Sequence, residues 1–168
     1  MYNCLVKAGK NSSDISDNLK GVQFYKELML AFSKSLDIDY VLIGKVYREK
    51  HNVQSIVYIR ENNSFNALIY DLNHTPCEVV AKLGTSVYPK NVAKLFPKDE
   101  LLVEMSVESY AGISCKIGEE FGLLVILSKS ELINEKEVSD ALYTFSKKVG
   151  LELDECGLEL LDPRSYLD

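Results

Sequence analysis

Residues 121–127 read Phe-Gly-Leu-Leu-Val-Ile-Leu. No polar side chain interrupts the run, so a strand built from it has no face that suits water. Such a strand belongs at the centre of a sheet. The preceding run, residues 110–117, and the turn residues Gly118 to Glu120 make it the second arm of a hairpin.

The rest of the pattern supplies the partners. Phe24, Leu28, Ala31, Phe32 and Leu36 recur at helical spacing and predict an amphipathic helix ending near Asp37. Three runs rich in Val, Ile and Tyr follow at residues 40–47, 55–60 and 66–72, joined by short polar links, and predict an antiparallel meander. A helix from Thr75, an extended piece at 85–88 and a short helix at 98–105 then lead to the hairpin. Asn134 can cap a last helix with Glu137 as its partner. The order is helix, three strands, helices, two strands, helix, an α+β arrangement.

Residues 73–80, Asn-His-Thr-Pro-Cys-Glu-Val-Val, are a helix start. Thr75 is the N-cap, Glu78 is placed to reach back to the cap's own N–H, and Pro76 falls where a missing N–H costs nothing. Gly84 is the stop. Cys77 thereby enters the first helical turn, where the dipole favours a thiolate if solvent reaches it. The competing reading is a small buried hydrophobe, with Glu78 opposing further negative charge. The capping pattern favours a role for Cys77 in the fold, and His74 reads as a loop residue.

At 168 residues and 46% hydrophobic content the chain can build one core. It divides into a polar lead-in at 1–20, a domain at 21–155 and a tail or linker start at 156–168. Residues 1–130 hold 15 basic and 15 acidic side chains, so the net charge of −6 comes wholly from the last segment. A balanced body argues against nucleic acid and anionic membranes as partners. No apolar stretch approaches the roughly 20 residues of a membrane span, and the first residues lack a signal-peptide pattern. Four cysteines without C-x-x-C or zinc spacing suit a reducing compartment, so a cytoplasmic protein is expected.

The last helix carries a further expectation. Val138, Leu142, Phe145 and Val149 continue as Leu153, Cys156 and Leu160, a coiled-coil-like seam that predicts a homodimer through the terminal helices. Gly150 and Gly157, each costing about 1 kcal/mol in a helix interior, offer an earlier stop near Gly150.

Three motifs in order resemble those of a large group of bacterial GAF domains. They are Tyr-Asp-Leu-x-x-Thr-Pro-Cys-Glu at 70–78, Leu-Phe-Pro-Lys-Asp-Glu-Leu-Leu at 95–102 and Val-Glu-Ser-Tyr-Ala-Gly at 107–112. The resemblance covers residues 21–155 and departs after Gly112, where Ile-Ser-Cys replaces the usual Val-Pro-Leu. It implies a GAF/PAS-like antiparallel central sheet of five to six strands flanked by helices. It also implies a non-catalytic sensory module of a bacterial signal-transduction protein, with a separate output domain as partner. A small-molecule cavity between the sheet and the 75–105 segment is expected, lined by Tyr70, Cys77, Tyr88, Phe96 and Tyr110, for a small uncharged or weakly anionic ligand. No cofactor is assigned, because neither the cyclic-nucleotide signature nor the Cys-His pair of bilin-binding GAF domains is present. The alternatives are a GAF-fold redox enzyme such as a free methionine sulfoxide reductase, whose Gly-rich cysteine motifs are missing here, and a ligand-free dimerisation spacer.

Overall fold

The computed structural model describes residues 22–61, 63–65, 68–117 and 120–156. The lead-in and Leu160 lie outside them, as do the side chains of Phe24, Leu28, Val149, Leu153 and Cys156. Helix α1 spans Val22–Leu36 and stops where Asp37 turns to φ 52°. There Ser33 closes the end, its carbonyl accepting from the Ile38 amide at 3.0 Å and its hydroxyl donating to the Ile38 carbonyl at 2.6 Å. Strands β1 (Tyr40–Tyr47) and β2 (Asn52–Arg60) follow as a hairpin, with an irregularity between Ile43 and Gly44.

The third strand expected at 66–72 is present as β4 (Ile69–Asp71), and an additional strand, β3 (Asn63–Phe65), falls where the sequence predicts a polar link; both are antiparallel to β2. They keep one register, since Tyr58 faces Phe65 and Gln54 faces Ile69. Between the pieces the Ser55 hydroxyl accepts from the Leu68 amide at 2.6 Å, a side chain standing in for a ladder acceptor. After helix α2 (Pro76–Leu83) come β5 (Thr85–Tyr88), α3 (Val92–Leu95), α4 (Glu100–Glu104), β6 (Ser109–Ile117), β7 (Glu120–Ser128) and α5 (Glu135–Cys156). The sheet runs β3-β2-β1-β7-β6-β5, with β4 also on β2. That is six lanes of strand, at the upper end of the expectation. The apolar run is β7, flanked by β1 and β6.

Burial of both sheet faces makes three layers. On one face α1 and α5 set Met29, Phe32, Val138, Leu142 and Phe145 against Val41, Ile43 and Leu124, with Phe32 and Phe145 edge to face at 4.9 Å. On the other, the crossover α2 to α4 sets Cys77, Val80, Val92 and Leu102 against Tyr40, Leu42, Tyr110, Leu123 and Val125. The Tyr40 hydroxyl donates to the Met105 carbonyl at 2.9 Å and pins this layer to the sheet. Helix α5 continues past Gly150 to Cys156, so Gly150 is not its stop. Among the described residues no helix is long and apolar enough to cross a membrane.

Candidate functional site

The crossover layer is held by its caps. The Thr75 hydroxyl accepts from the Glu78 amide at 3.2 Å and donates to the Leu72 carbonyl at 2.6 Å. Glu78 reaches back one residue further than expected: its carboxylate accepts from the His74 amide at 2.9 Å rather than from Thr75. His74, at φ 61°, makes the bend that brings its amide there. The same carboxylate pairs with Lys82 one turn on, and these partners hold it below the usual carboxylate range. Gly84, at φ 90°, ends the helix with its amide on the Val80 carbonyl.

This start seats Cys77, buried, over the sheet. The Tyr110 hydroxyl donates to its sulfur at 3.2 Å from β6, and the Tyr70 hydroxyl lies at 3.2 Å from β4. The ring of Tyr110 can lie flat along its strand because position 112 is glycine. A Cβ there would fall 2.5 Å from the Tyr110 hydroxyl oxygen and 3.0 Å from two ring carbons.

Burial pushes the Cys77 thiol up to about 11, against the opposing pull of the Tyr110 and Tyr70 hydroxyls. Burial also drives both phenols well above the ordinary tyrosine range, with the Cys77 sulfur adding to the shift. All three groups are neutral at physiological pH. The dipole argument for a reactive thiolate therefore fails here, because desolvation outweighs it.

A cavity of about 40 Å3 opens beside this trio, between the sheet and the crossover, with Leu42, Tyr58, Asp99 and Met105 completing its polar and apolar walls. That is room for about one water, whose share of the liquid is roughly 30 Å3. Of the five expected lining residues, Tyr70, Cys77 and Tyr110 border the cavity. Tyr88 and Phe96 stand beside it as an aromatic flank, edge to face with each other at 5.1 Å, with Tyr88 tilted against Tyr110 at 6.1 Å.

Of the lining residues that the sequence did not predict, Asp99 is the one with a charged side chain among the described residues. Within Phe-Pro-Lys-Asp-Glu it looks like a solvated helix cap; it is the N-cap residue of α4, half-buried at the cavity. Burial raises its carboxyl above the usual range, with the Leu102 and Leu101 amides pulling the other way. Among the described residues no cationic side chain lines the cavity. Among the described residues, no group of three or more His, Cys, Asp and Glu side chains is placed to hold a metal ion.

No family model matches the chain, and no curated protein matches it. Solved structures do. The phycoerythrobilin-bound GAF domain from a cyanobacterial phytochrome superposes at TM-score 0.68 and 14% identity, over 95% of this chain and 99% of that one. The GAF domain of A. aeolicus nlh2 in an inactive state gives 0.65 at 12%, over 93% and 96%. That of Acinetobacter phosphoenolpyruvate-protein phosphotransferase gives 0.64 at 11%, over 92% and 93%. The chain has the fold of a GAF domain. Within this GAF fold the departing Ile-Ser-Cys stretch still forms β6. The Ser114 amide donates to the Gly84 carbonyl at 2.7 Å, and Cys115 turns into the terminal-helix layer, its thiol pushed by burial to about 12.

Proposed function

We propose that the chain is a non-catalytic sensory or regulatory domain of a bacterial signal-transduction protein, with the crossover cavity as its input site. The observation that carries this reading is the convergence of Tyr70 and Tyr110 on Cys77 around a cavity whose far wall is formed by two short helices, α2 and α4. A ligand of ordinary size needs about 300–1,000 Å3, so these helices must move outward to admit one. Their junctions support that motion, because His74, Gly84, Asn91 and Ser106 all bend at positive φ between α2, β5, α3 and α4. The sheet beneath is tied by long antiparallel ladders and stays fixed.

The wall chemistry selects the ligand. Asp99 lines the cavity and, among the described residues, no cation does, which disfavours the weakly anionic ligand expected from the sequence. A small, uncharged or cationic hydrogen-bond donor fits Asp99 and the two phenols. A cysteine with a pKa of about 11 is a poor nucleophile at neutral pH, and this supports a sensor over a methionine sulfoxide reductase.

The cavity's small volume equally suits a ligand-free dimerisation spacer, and one experiment separates the readings. A thermal-shift screen of uncharged and cationic metabolites should give a stabilising compound whose effect is lost in Asp99→Asn. No stabilisation by any compound leaves the spacer; turnover of methionine sulfoxide establishes the enzyme. Output through a homodimer of the terminal helices, in a cytoplasmic protein with a further output domain, completes the proposal. Light scattering should give a dimer for the full chain and a monomer for a version ending at Gly150.

A further inference from the structure

The balanced charge of residues 1–130 hides a local imbalance. The β1–β2 connection and the β6–β7 hairpin meet at one end of the sheet, because Lys45 faces Gly122 and Lys116 faces Phe121 across their ladders. Between them lies an open cleft of about 580 Å3 that shares no residue with the crossover cavity. Among the described residues Lys45, Arg48, Lys50 and Lys116 line it, against the carboxylates of Glu49 and Glu120.

Glu120 is taken, paired with Lys45 at 3.6 Å. Arg48, Lys50 and Lys116 are exposed and have no carboxylate within ion-pair distance among the described residues. Three cations in one cleft of a chain with net charge −6 repel one another without a common anion.

The backbone that carries Arg48 and Lys50 is held in place. Arg48–Lys50 form a single 3-10 turn, closed by the His51 amide on the Arg48 carbonyl at 3.3 Å, with His51 at φ 50°. The His51 carbonyl in turn accepts from the Leu72 amide at 2.8 Å, which ties the turn to the chain beyond β4. Two half-buried rings give the cleft flat walls. The Arg48 guanidinium lies over Phe121 at 5.0 Å, and Lys45 and Lys50 lie over Tyr47 at 4.9 and 5.8 Å. Stacking orients the Arg48 fork and leaves its N–H groups to bind a bidentate oxyanion, which arginine does better than lysine.

We propose that this cleft is a second binding site, for a soluble small molecule that carries a pyrophosphate or phosphate-ester group and a flat ring. The phosphate oxygens take Arg48, Lys50 and Lys116, and the ring lies along Tyr47 or Phe121. The volume is that of a small-molecule site. An ordinary inorganic anion satisfies the charges and leaves the rings unused. A neutral nucleoside does the reverse.

Titration calorimetry of the full chain at low salt tests this with ADP, pyrophosphate, sulfate and adenosine as probes. ADP should bind with a Kd of about 1 mM or tighter and more tightly than pyrophosphate, which in turn exceeds sulfate. In Arg48→Gln/Lys116→Gln, ADP affinity should fall at least about tenfold. That variant changes only exposed side chains, and an unchanged far-UV spectrum and melting midpoint would show that it is folded. Tyr70→Phe, at the crossover cavity, should leave ADP affinity as it is. The proposal is overturned by no ADP binding at several times about 1 mM, by sulfate matching ADP, by adenosine matching ADP, or by full affinity in the double variant. Co-sedimentation with phosphoinositide vesicles that ADP fails to compete would also overturn it, by assigning the cleft to a lipid headgroup.

Discussion

Gly112→Ala sets two physical effects against each other. At an ordinary strand position the change stabilises by about 0.5–1 kcal/mol, since alanine loses less backbone freedom on folding. Here the new methyl falls 2.5 Å from the Tyr110 hydroxyl oxygen and 3.0 Å from Cε1 and Cζ, all well inside van der Waals contact. Tyr110 is 1% exposed, with Cys77 at its hydroxyl and Tyr88 beside its ring, so it has no solvent to swing into. Overpacking of this kind costs about 1–3 kcal/mol. The net expectation is a loss of about 1–2 kcal/mol, or a fall in Tm of roughly 2–8 °C for a chain of this size. Urea unfolding gives the free energy. Repeating the change in a Tyr110→Leu background isolates the cause, because the obstructing ring is gone and a coupling equal to the overpacking cost, about 1–3 kcal/mol, should appear. A stabilised single variant, or coupling near zero, would refute the packing of Tyr110 against Gly112.

Thr75→Ala should cost about 1 kcal/mol in the same assay through the lost N-cap bond to the Glu78 amide. Alkaline titration should lower stability. Cys77 and Cys115 ionise near 11 and 12 in the folded chain against 9.0 as ordinary thiols, so the unfolded state loses its protons first. Their contribution is complete below pH 9 and is lost as pH rises toward 11 and 12, which the urea midpoint from pH 8 to pH 10.5 should record as a steady decline. Site-resolved alkylation in the native state should label Cys77 far more slowly than a free thiol, and rapid labelling would contradict its burial under Tyr70 and Tyr110.

The strands were legible because Val, Ile and Tyr alternate or run together along them, and β1 needed no correction at either end. The helix at Thr75 was legible because its cap, proline and stop are all local signals. What failed was non-local. Strand β3 forms where the sequence predicts a polar link, and β4 begins only after the Ser55 hydroxyl takes the Leu68 amide, both decided by pairing with the neighbouring strand. Helix α3 has four residues, too few for any periodicity to register. In the site, Tyr70, Cys77 and Tyr110 could be expected from the motifs, whereas Asp99, the N-cap residue of α4, is brought to the cavity only by the path of the crossover. The basic cleft gathers residues 45–50, 116 and 120–121, and a charge count along the chain averages it away.

In the proposed function α2 to α4 form a movable wall over a fixed sheet. Native-state hydrogen exchange tests it most directly. Amides of α2 and α4 should exchange through local openings that depend weakly on urea, while those of β1, β6 and β7 should exchange only through global unfolding. A compound that raises Tm should slow the first set and raise the second only by the overall gain in stability. Equal protection and equal urea dependence in both sets would contradict the account, because the cavity would then have no means of opening to a ligand.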